Sequence, residues 1–115
     1  MGFYFPAKRI FGLPEREDTF QLKNTLEHPY ELFATDQPQH MPGNQQPLYG
    51  SVPYITSLSE NHSASVAWVN SAHTWISIED MDVGRYANFV SESGALELFV
   101  FASSTFGDSN RIKKV

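Results

Sequence analysis

The sequence predicts an all-β fold, an antiparallel β-sandwich. No window shows the sustained apolar spacing and the capping residues of an amphipathic helix. Instead, short segments of about five residues alternate apolar and polar side chains, and turn-forming residues separate them roughly every ten positions. The chain has 115 residues, of which 41% are apolar, so it is long enough to bury a core as one domain.

Six segments carry the strand pattern most clearly, and they are residues 19–22, 30–33, 65–69, 75–78, 85–91 and 96–101. Residues 70–73 form a natural turn, so the third and fourth segments are predicted to pair as a hairpin. Residues 92–94 turn the chain again, which predicts a second hairpin between the last two segments. Trp68 and Trp75 are predicted to lie in the core, because both belong to alternating strands.

A long polar connection interrupts the strand pattern between residues 34 and 47. It contains three prolines and much Gln, Asn and Gly, so it is predicted to be a loop. A loop of this length in a small domain is usually functional or disordered. The run PLYGSVPYI follows at residues 47–55, and its prolines predict an edge or bulged strand. Gly50 within it would let another backbone or a sugar approach closely.

Composition divides the chain into three segments. Residues 1–10 are expected to be a lead-in, and residues 11–106 are predicted to be the β-sandwich domain. Residues 107–115 are expected to be a polar tail, and their basic cluster at 111–114 is interpreted as a solvated chain end. The sequence leaves open whether the domain is complete at this end or was cut from a longer protein.

Charge and composition argue against several classes of function. The formal net charge of −5 disfavours a nucleic-acid partner, which would require a basic surface. The chain has no cysteine, which excludes disulfides, thiol nucleophiles and cysteine metal sites. No apolar run reaches the ~20 residues of a membrane span, and the N-terminus lacks the pattern of a signal peptide.

No local motif assigns a reaction. The four histidines show no metal-ligand spacing, so neither a metal nor another cofactor is expected. Glu15, Glu17 and Asp18 alternate with Arg16, and local charge pairing is the preferred interpretation over the carboxylate pair that glycoside hydrolysis needs. A Gly-x-Ser-x-Gly nucleophile motif is absent from the sequence.

The polar loop and its aromatic neighbour are typical of a carbohydrate site. Sugar rings stack their C–H faces on aromatic side chains, and their hydroxyl groups bind planar polar side chains. Tyr49 supplies an aromatic ring beside the loop. The loop residues that offer polar groups are Asp36, Gln37, His40, Asn44 and Gln46.

Three motifs in order resemble a known family. They are IFGLPERED at residues 10–18, PLYGSVP at residues 47–53 and AWVNSAHTWISI at residues 67–78. They resemble the N-terminal β-sandwich of glycoside hydrolase family 31, specifically of its neutral α-glucosidases. The run FVSESGALELFVF at residues 89–101 is similar to the strand pair that follows in the family. Arg16 and His73 depart from the family pattern, which has His and Glu at these places.

The resemblance implies a galactose-mutarotase-like sandwich that precedes a (β/α)₈ barrel. In the family, the barrel supplies both catalytic aspartates, and the nucleophile lies in a Trp-x-Asp-Met-Asn type of motif. Residues 78–82 read IEDMD and lack the tryptophan and the asparagine. The chain is therefore predicted to be a fragment without the catalytic barrel, with no catalytic residue and no activity of its own.

The function implied by the resemblance is that of a supporting domain. The parent enzyme would be a retaining α-glucosidase that removes terminal α-linked glucose, with N-glycan trimming in the lumen of the endoplasmic reticulum as the candidate process. The implied partners are the missing barrel, an α-glucoside or glycan substrate, and a regulatory subunit.

The resemblance also implies one substrate-binding residue. In the family, a loop of the sandwich reaches over the barrel mouth and places an aspartate near the first sugars. By motif order this residue is Asp36. The alternative interpretation of Asp36 is a turn cap at the start of the loop.

Two other functions stay open at this point. The chain could be a free-standing carbohydrate-binding or protein-interaction β-sandwich, which the aromatic and amide residues of the loop favour. It could also be a mutarotase-like enzyme, which needs a histidine and a glutamate facing one sugar. His73 with Glu60 or Glu97 is the candidate pair for that reaction.

Overall fold

The computed structural model describes residues 1–104 as a sandwich of two antiparallel sheets. The strands are β1 Gly2–Phe5, β2 Arg9–Gly12, β3 Tyr30–Leu32, β4 Tyr54–Leu58, β5 Ser63–Val69, β6 Thr74–Asp80, β7 Arg85–Ser91 and β8 Glu97–Ser103. One sheet has the order β1-β7-β6-β3, and the other has the order β2-β4-β5-β8. The predicted all-β sandwich is confirmed. The part of the chain that the structure describes contains no helix able to cross a membrane.

The core lies between the two sheets and follows the alternation of the strands. Along β6, Thr74, Ile76 and Ile78 are buried while the side chains between them are partly exposed. This is the pattern of a sheet with one face on the core and one face toward solvent. Trp68 of β5 stacks on Phe89 of β7, with ring centroids 5.5 Å apart, so the predicted core position of Trp68 is confirmed.

Trp75 does not lie in the core, and that prediction is wrong. It alternates with the buried Thr74 and Ile76, so its side chain stands on the outer face of the sheet. Alternation alone cannot tell which of the two faces is buried. An aromatic residue on the outer face therefore looked the same in the sequence as one in the core.

Both predicted hairpins are wrong as well. β5 and β6 lie in different sheets, and so do β7 and β8. The connections at residues 70–73 and 92–96 therefore cross from one sheet to the other. The neighbouring strands that do pair are β4 with β5 and β6 with β7. Turn-forming residues suit a sheet-to-sheet crossing as well as a hairpin, and they do not reveal which partner the next strand takes.

Two further strand predictions need correction. Residues 19–22 make one isolated bridge, from Gln21 to Phe11, and form no strand. The run at residues 47–55 is irregular until Tyr54, where β4 begins. β4 then lies between β2 and β5 and is not an edge strand. Pro47 and Pro53 lack the N–H group that a sheet ladder needs, which accounts for the irregular backbone before Tyr54.

The first ten residues, which were expected to be a lead-in, contribute strands to both sheets. β1 pairs with β7, and β2, which begins at Arg9, pairs with β4. The predicted tail at residues 107–115 and the boundary at residue 106 lie outside the described residues.

Candidate functional site

The long connection from β3 to β4 packs against the segment that follows β2. The backbone N–H of Glu15 donates to the Gly50 carbonyl at 2.7 Å, and the N–H of Leu48 donates back to the Glu15 carbonyl at 3.0 Å. The N–H of Val52 donates to the Pro14 carbonyl at 3.0 Å. Two of the sequence motifs, at residues 10–18 and 47–53, therefore lie side by side at one end of the sandwich.

Arg16 holds three segments of this region together. Its Nε donates to the Leu13 carbonyl at 2.7 Å, and its two terminal nitrogens donate to the carbonyls of Gln45 and Glu31 at 3.0 and 3.2 Å. Its guanidinium carbon lies 4.7 Å from the centroid of the Tyr30 ring, within the range of a cation–π contact. Burial lowers the pKa of Arg16, and the neighbouring Tyr30 and Asp18 oppose this shift.

A buried polar chain continues from Tyr30. Its hydroxyl donates to Asp18 Oδ2 at 3.1 Å and accepts the backbone N–H of Lys23 at 2.8 Å. The Asp18 side chain is fully buried, and the Lys23 ammonium group pairs with it. Burial opposes ionisation of Asp18, but hydrogen bonds from Lys23, Thr19 and Tyr30 outweigh burial and lower the Asp18 pKa. Burial also raises the pKa of Tyr30, to about 12.

The predicted local charge pairing holds for Asp18, which pairs with Lys23 and lies near enough to Arg16 to oppose the lowering of the Arg16 pKa by burial. Glu15 and Glu17 take other partners. Glu15 accepts the N–H of Gly50 at 2.9 Å, and Glu17 contacts His40 Nδ1 at 2.8 Å. Glu15 and Glu17 thus bind two different places of the long connection, Gly50 and His40, to the segment after β2. The sequence could not show this, because most of their partners come from the distant loop.

The lack of a side chain at Gly50 makes room for the side chain of Glu15. A Cβ atom built on it would lie 2.6 Å from the Cγ atom of Glu15. The expected close approach is therefore real, but its partner is the Glu15 side chain. This contact fixes the end of the loop, at residues 47–53, against the motif at residues 10–18.

Asp36 stands exposed at the start of the loop, beside Tyr49. The Tyr49 hydroxyl donates a hydrogen bond to Asp36 Oδ1, and this bond raises the pKa of Tyr49. The Thr35 N–H donates to the Leu48 carbonyl at 2.9 Å, which holds the two ends of the loop together. The fold thus brings together two residues of the predicted carbohydrate site.

Three other polar residues of the loop, Asn44, Gln46 and His40, hold its shape. Asn44 Oδ1 accepts the Gln46 N–H at 3.1 Å, and Asn44 Nδ2 donates to Gln46 Oε1 at 3.2 Å. His40 is paired with Glu17. These side chains were predicted to offer hydrogen bonds to a sugar, and each of them forms a bond within the chain.

A row of rings lies on the outer face next to β3 and β6. The ring of His73 stacks on Trp75, with centroids 4.0 Å apart, and lies 4.9 Å from the ring of Phe33. Trp75 Nε1 donates to Glu31 Oε1 at 3.3 Å, and His73 Nε2 lies 3.6 Å from Glu31 Oε2. The carboxylate beside His73 is therefore Glu31, whereas the sequence suggested Glu60 or Glu97. Sequence reasoning missed Glu31 and Phe33, although a spacing of two predicts that both point to one face of the predicted strand at residues 30–33.

A mostly apolar groove of about 600 Å³ opens on the outer face of β2 and β4. Its apolar lining includes Phe11, Phe20, Leu48, Tyr54 and Leu58. Phe20 is highly exposed and packs on Phe11, with centroids 5.0 Å apart. Within residues 1–104, no group of three or more acidic or histidine side chains is arranged to hold a metal ion.

Comparison with known proteins identifies relatives for most of the chain. Residues 4–77 match the glycosyl hydrolase 31 N-terminal galactose mutarotase-like domain. The chain is 32% identical to glucosidase 2 subunit alpha of Saccharomyces cerevisiae, across 83% of this chain and 10% of that protein. It is 34% identical to neutral alpha-glucosidase AB of Mus musculus, across 74% of this chain and 9% of that protein.

Solved structures share the fold. The catalytic subunit in a heterodimeric complex of ER glucosidase II, crystallised with the binding domain of the regulatory subunit, superposes with a TM-score of 0.83 at 26% identity. That match covers 90% of this chain and 13% of the solved chain. A glucosidase II alpha subunit bound to alpha3-Glc2 superposes with a TM-score of 0.80. The chain spans about a tenth of the length of the curated relatives named above.

Proposed function

Because the chain belongs to the glycosyl hydrolase 31 N-terminal galactose mutarotase-like domains, we propose that it is the non-catalytic N-terminal domain of a retaining α-glucosidase. The parent enzyme removes terminal α-linked glucose. This domain supports the catalytic barrel and presents Asp36 to the substrate. The observation that carries the proposal is the fixed loop, which holds an exposed Asp36–Tyr49 pair at one end of the sandwich.

Asp36 suits the recognition of a sugar hydroxyl group. Its carboxylate is exposed and accepts one hydrogen bond from Tyr49, and an ionised carboxylate has about four acceptor positions. The remaining positions can accept hydroxyl groups of a glucose unit. Tyr49 keeps the carboxylate in place, which reduces the entropy lost on binding.

The carboxylates near the loop are occupied by other partners, which supports a non-catalytic role. Retaining hydrolysis needs two carboxyl groups about 5–5.5 Å apart in one pocket. Glu15, Glu17 and Asp18 each bind a separate group of this chain. Asp80, from the run that resembles a nucleophile motif, accepts a hydrogen bond from Arg85 Nε at 2.5 Å. The catalytic pair is therefore expected in the barrel of the parent protein.

The names of the relatives support a proposal for the process and the partners. They include glucosidase 2 alpha subunits, and one solved relative forms a complex with the binding domain of a regulatory subunit. We infer that the parent protein trims glucose from N-glycans in the lumen of the endoplasmic reticulum and pairs with such a subunit.

A chimeric enzyme tests the proposal. The chain replaces the matching segment of the Saccharomyces cerevisiae relative, and hydrolysis of a chromogenic α-glucoside is measured. We expect the chimera to be active, and we expect Asp36→Asn to lower kcat/KM about tenfold, the effect of losing ~1.4 kcal/mol of transition-state binding. Asp82→Asn, in the exposed turn after β6, is the control and leaves kcat/KM unchanged.

Two results would contradict the proposal. One is turnover of the glucoside by the 115-residue chain alone, which would make it an enzyme in its own right. The other is an active chimera in which Asp36→Asn and Asp82→Asn have equal kcat/KM values, which would remove Asp36 from the substrate site.

A second candidate function is a free-standing carbohydrate-binding module. The exposure of Tyr49 at 64% favours it, because a ring at the surface is available to a ligand without a barrel. Titration of the chain with glucose, maltose and nigerose distinguishes the two functions. Saturable binding that Asp36→Ala and Tyr49→Ala both abolish, together with an inactive chimera, supports the free-standing module.

A further inference from the structure

A second exposed group of aromatic side chains lies close to Asp36, and we call it the aromatic platform. It consists of Phe33, His73 and Trp75 with the carboxylate of Glu31. Phe33 is 53% exposed, and Trp75 is partly exposed. The platform lies beside the edge strand β3 of its sheet, so no further strand of the described chain covers it on that side.

The strand register explains why these side chains meet. Glu31 of β3 lies directly opposite Trp75 of β6, and cross-strand neighbours on one face contact each other. Tyr30 and Leu32 are buried, so Glu31 and Phe33 alternate to the outer face. The apolar side chains of the platform thus occupy positions where an exposed sheet face usually carries polar residues.

Contacts within the platform fix its geometry. His73 lies between the rings of Phe33 and Trp75, with centroid distances of 4.9 and 4.0 Å. The Trp75 indole N–H donates to one oxygen of Glu31 at 3.3 Å. The other oxygen lies 3.6 Å from His73 Nε2, a distance too long for a good hydrogen bond. Glu31 therefore keeps acceptor capacity for a donor from outside the chain.

We propose that the aromatic platform is a second saccharide-binding subsite, which takes a neutral hexopyranose unit next to the one held by Asp36. This proposal rests on the proposed function. The C–H face of the sugar ring stacks on the exposed rings of Phe33 and Trp75. A hydroxyl group of the same sugar donates to Glu31, whose negative charge disfavours an anionic ligand in this place.

The chain geometry links the two subsites. Phe33 and Asp36 are three residues apart, so their Cα atoms are separated by at most about 11 Å. Thr35 fixes this short link through its backbone bond to Leu48 and through its hydroxyl bond to the Phe33 carbonyl at 3.0 Å. One oligosaccharide can therefore contact both places with neighbouring sugar units.

Nuclear magnetic resonance of the 115-residue chain tests the proposal. The chain has two tryptophans, and their indole N–H signals report two different environments. Trp68 is buried and donates to Ser91 at 2.9 Å, so its signal is an internal control. Titration with nigerose, an α-linked glucose disaccharide, is expected to shift the Trp75 signal saturably with a Kd of about 1 mM and to leave the Trp68 signal in place.

Variants assign the binding to the platform. Phe33→Ala and Trp75→Ala are expected to weaken nigerose binding about tenfold, followed for Trp75→Ala through backbone amide signals. Phe20→Ala removes an exposed ring on the other sheet and is expected to leave binding unchanged. Unchanged amide dispersion shows that each variant remains folded.

The outcomes separate this proposal from the proposed function. The platform is refuted if nigerose shifts no Trp75 signal, or if Phe33→Ala and Phe20→Ala bind equally well. Loss of activity in the Asp36→Asn chimera would still support the proposed function in that case. Conversely, if binding depends on Phe33 and Trp75 but the Asp36→Asn chimera keeps full activity, the platform is supported as a saccharide site and the adjoining site at Asp36 is refuted.

Discussion

The guanidinium group of Arg16 lies 4.7 Å from the ring centroid of Tyr30 while it donates hydrogen bonds to three carbonyl groups. The Tyr30 hydroxyl in turn binds Asp18. One cation and one buried phenol therefore join the core strand β3, the motif after β2 and the long loop. This arrangement helps to hold the loop that carries Asp36, together with the backbone bonds of Thr35 and Leu48.

Replacement of Arg16 by lysine is expected to loosen the loop. Lysine keeps the charge but cannot reproduce the planar, multiple hydrogen bonds of a guanidinium group. We expect Arg16→Lys to lower the free energy of unfolding by about 2 kcal/mol. Urea denaturation measures this change. Hydrogen exchange should also accelerate at the Gly43 amide, which donates to the Glu17 carbonyl at 2.6 Å.

The control for this prediction is Arg9→Lys, at an exposed position of β2. It should leave both measurements unchanged. Equal stabilities of the Arg16→Lys and Arg9→Lys variants would show that the carbonyl bonds of Arg16 contribute nothing.

Alkaline pH is expected to destabilise the fold through Tyr30. Burial is the main reason why the folded pKa of Tyr30 is raised to about 12. An unfolded tyrosine titrates near pH ~10. The stabilising contribution is therefore complete below the unfolded pKa and is lost as the pH rises through the folded value. Tyr30→Phe should remove this dependence and should cost about 1 kcal/mol at neutral pH, because Asp18 and Lys23 lose a partner.

Urea denaturation at several alkaline pH values measures this effect. Tyr86→Phe, on the opposite, solvent-facing side of the sheet, is the matched control and should retain the pH dependence of the original chain. A Tyr30→Phe variant with the same alkaline loss as the original chain would argue against a buried, protonated Tyr30.

Acid is expected to remove a contribution from Asp18. Burial alone would raise its folded pKa, but hydrogen bonds from Lys23, Thr19 and Tyr30 outweigh burial and lower it, while the unfolded value is about 3.9. The contribution is therefore present above the unfolded pKa and is lost as the pH falls through the folded pKa. Asp18→Asn should lower the free energy of unfolding by about 2 kcal/mol at neutral pH.

This difference between the original chain and Asp18→Asn should shrink steadily below about pH 4. Thermal or urea unfolding across the acid range measures it. Asp82→Asn, in an exposed turn, is the control that should behave as the original chain does. A constant difference at all pH values would mean that the Asp18→Asn substitution disturbs packing and does not remove an ionised partner.

The hydrogen bond between Tyr49 and Asp36 is open to direct measurement. It raises the Tyr49 pKa, because the protonated phenol is the form that donates to the carboxylate. Asp36→Asn should therefore lower the Tyr49 pKa toward its ordinary value. Carbon-13 labelled tyrosine gives a separate titration curve for each ring, and an unchanged Tyr49 curve in Asp36→Asn would show that the two groups do not interact in solution.

Gly12, in the first family motif, is expected to tolerate no side chain. Its φ angle is +134°, and a Cβ atom built there would overlap the Tyr54 carbonyl oxygen. Gly12→Ala should lower the free energy of unfolding by more than about 2 kcal/mol. Gly43→Ala separates the two causes, because Gly43 also has a positive φ of +86° but faces open space. The clash at Gly12 is disproved if both variants lose the same stability.

The sequence predicted the strands better than their pairing. Alternation identified β5, β6, β7 and β8 within a few residues, because a half-buried strand must alternate. It did not show that β5 and β6 belong to different sheets, since the residues of a turn carry no information on the next strand's partner. The wrong face predicted for Trp75 has a different cause, because alternation does not show which face of a strand is buried.

The candidate site could be predicted only where the type of side chain itself indicated a function. Asp36 and Tyr49 were singled out as a carboxylate and a ring beside a long loop, and the fold brings them together. The role of Arg16 was missed, because its partners are backbone carbonyls, which every residue has. The contact between Glu31 and His73 joins residues 42 positions apart in the sequence, and no local spacing indicates such a pair.

The bond that joins the two ends of the long loop also affects which changes of loop length this family can accommodate. The bond from Thr35 to Leu48 and the contacts of residues 43–50 with the motif after β2 leave residues 37–39 without such anchors. Doubling the length of a flexible loop costs only about 0.6 kcal/mol in chain entropy. Insertions and deletions at residues 37–39 should therefore be the least costly changes of loop length in this family, because they change the reach of the loop while Asp36 and the sandwich stay in place.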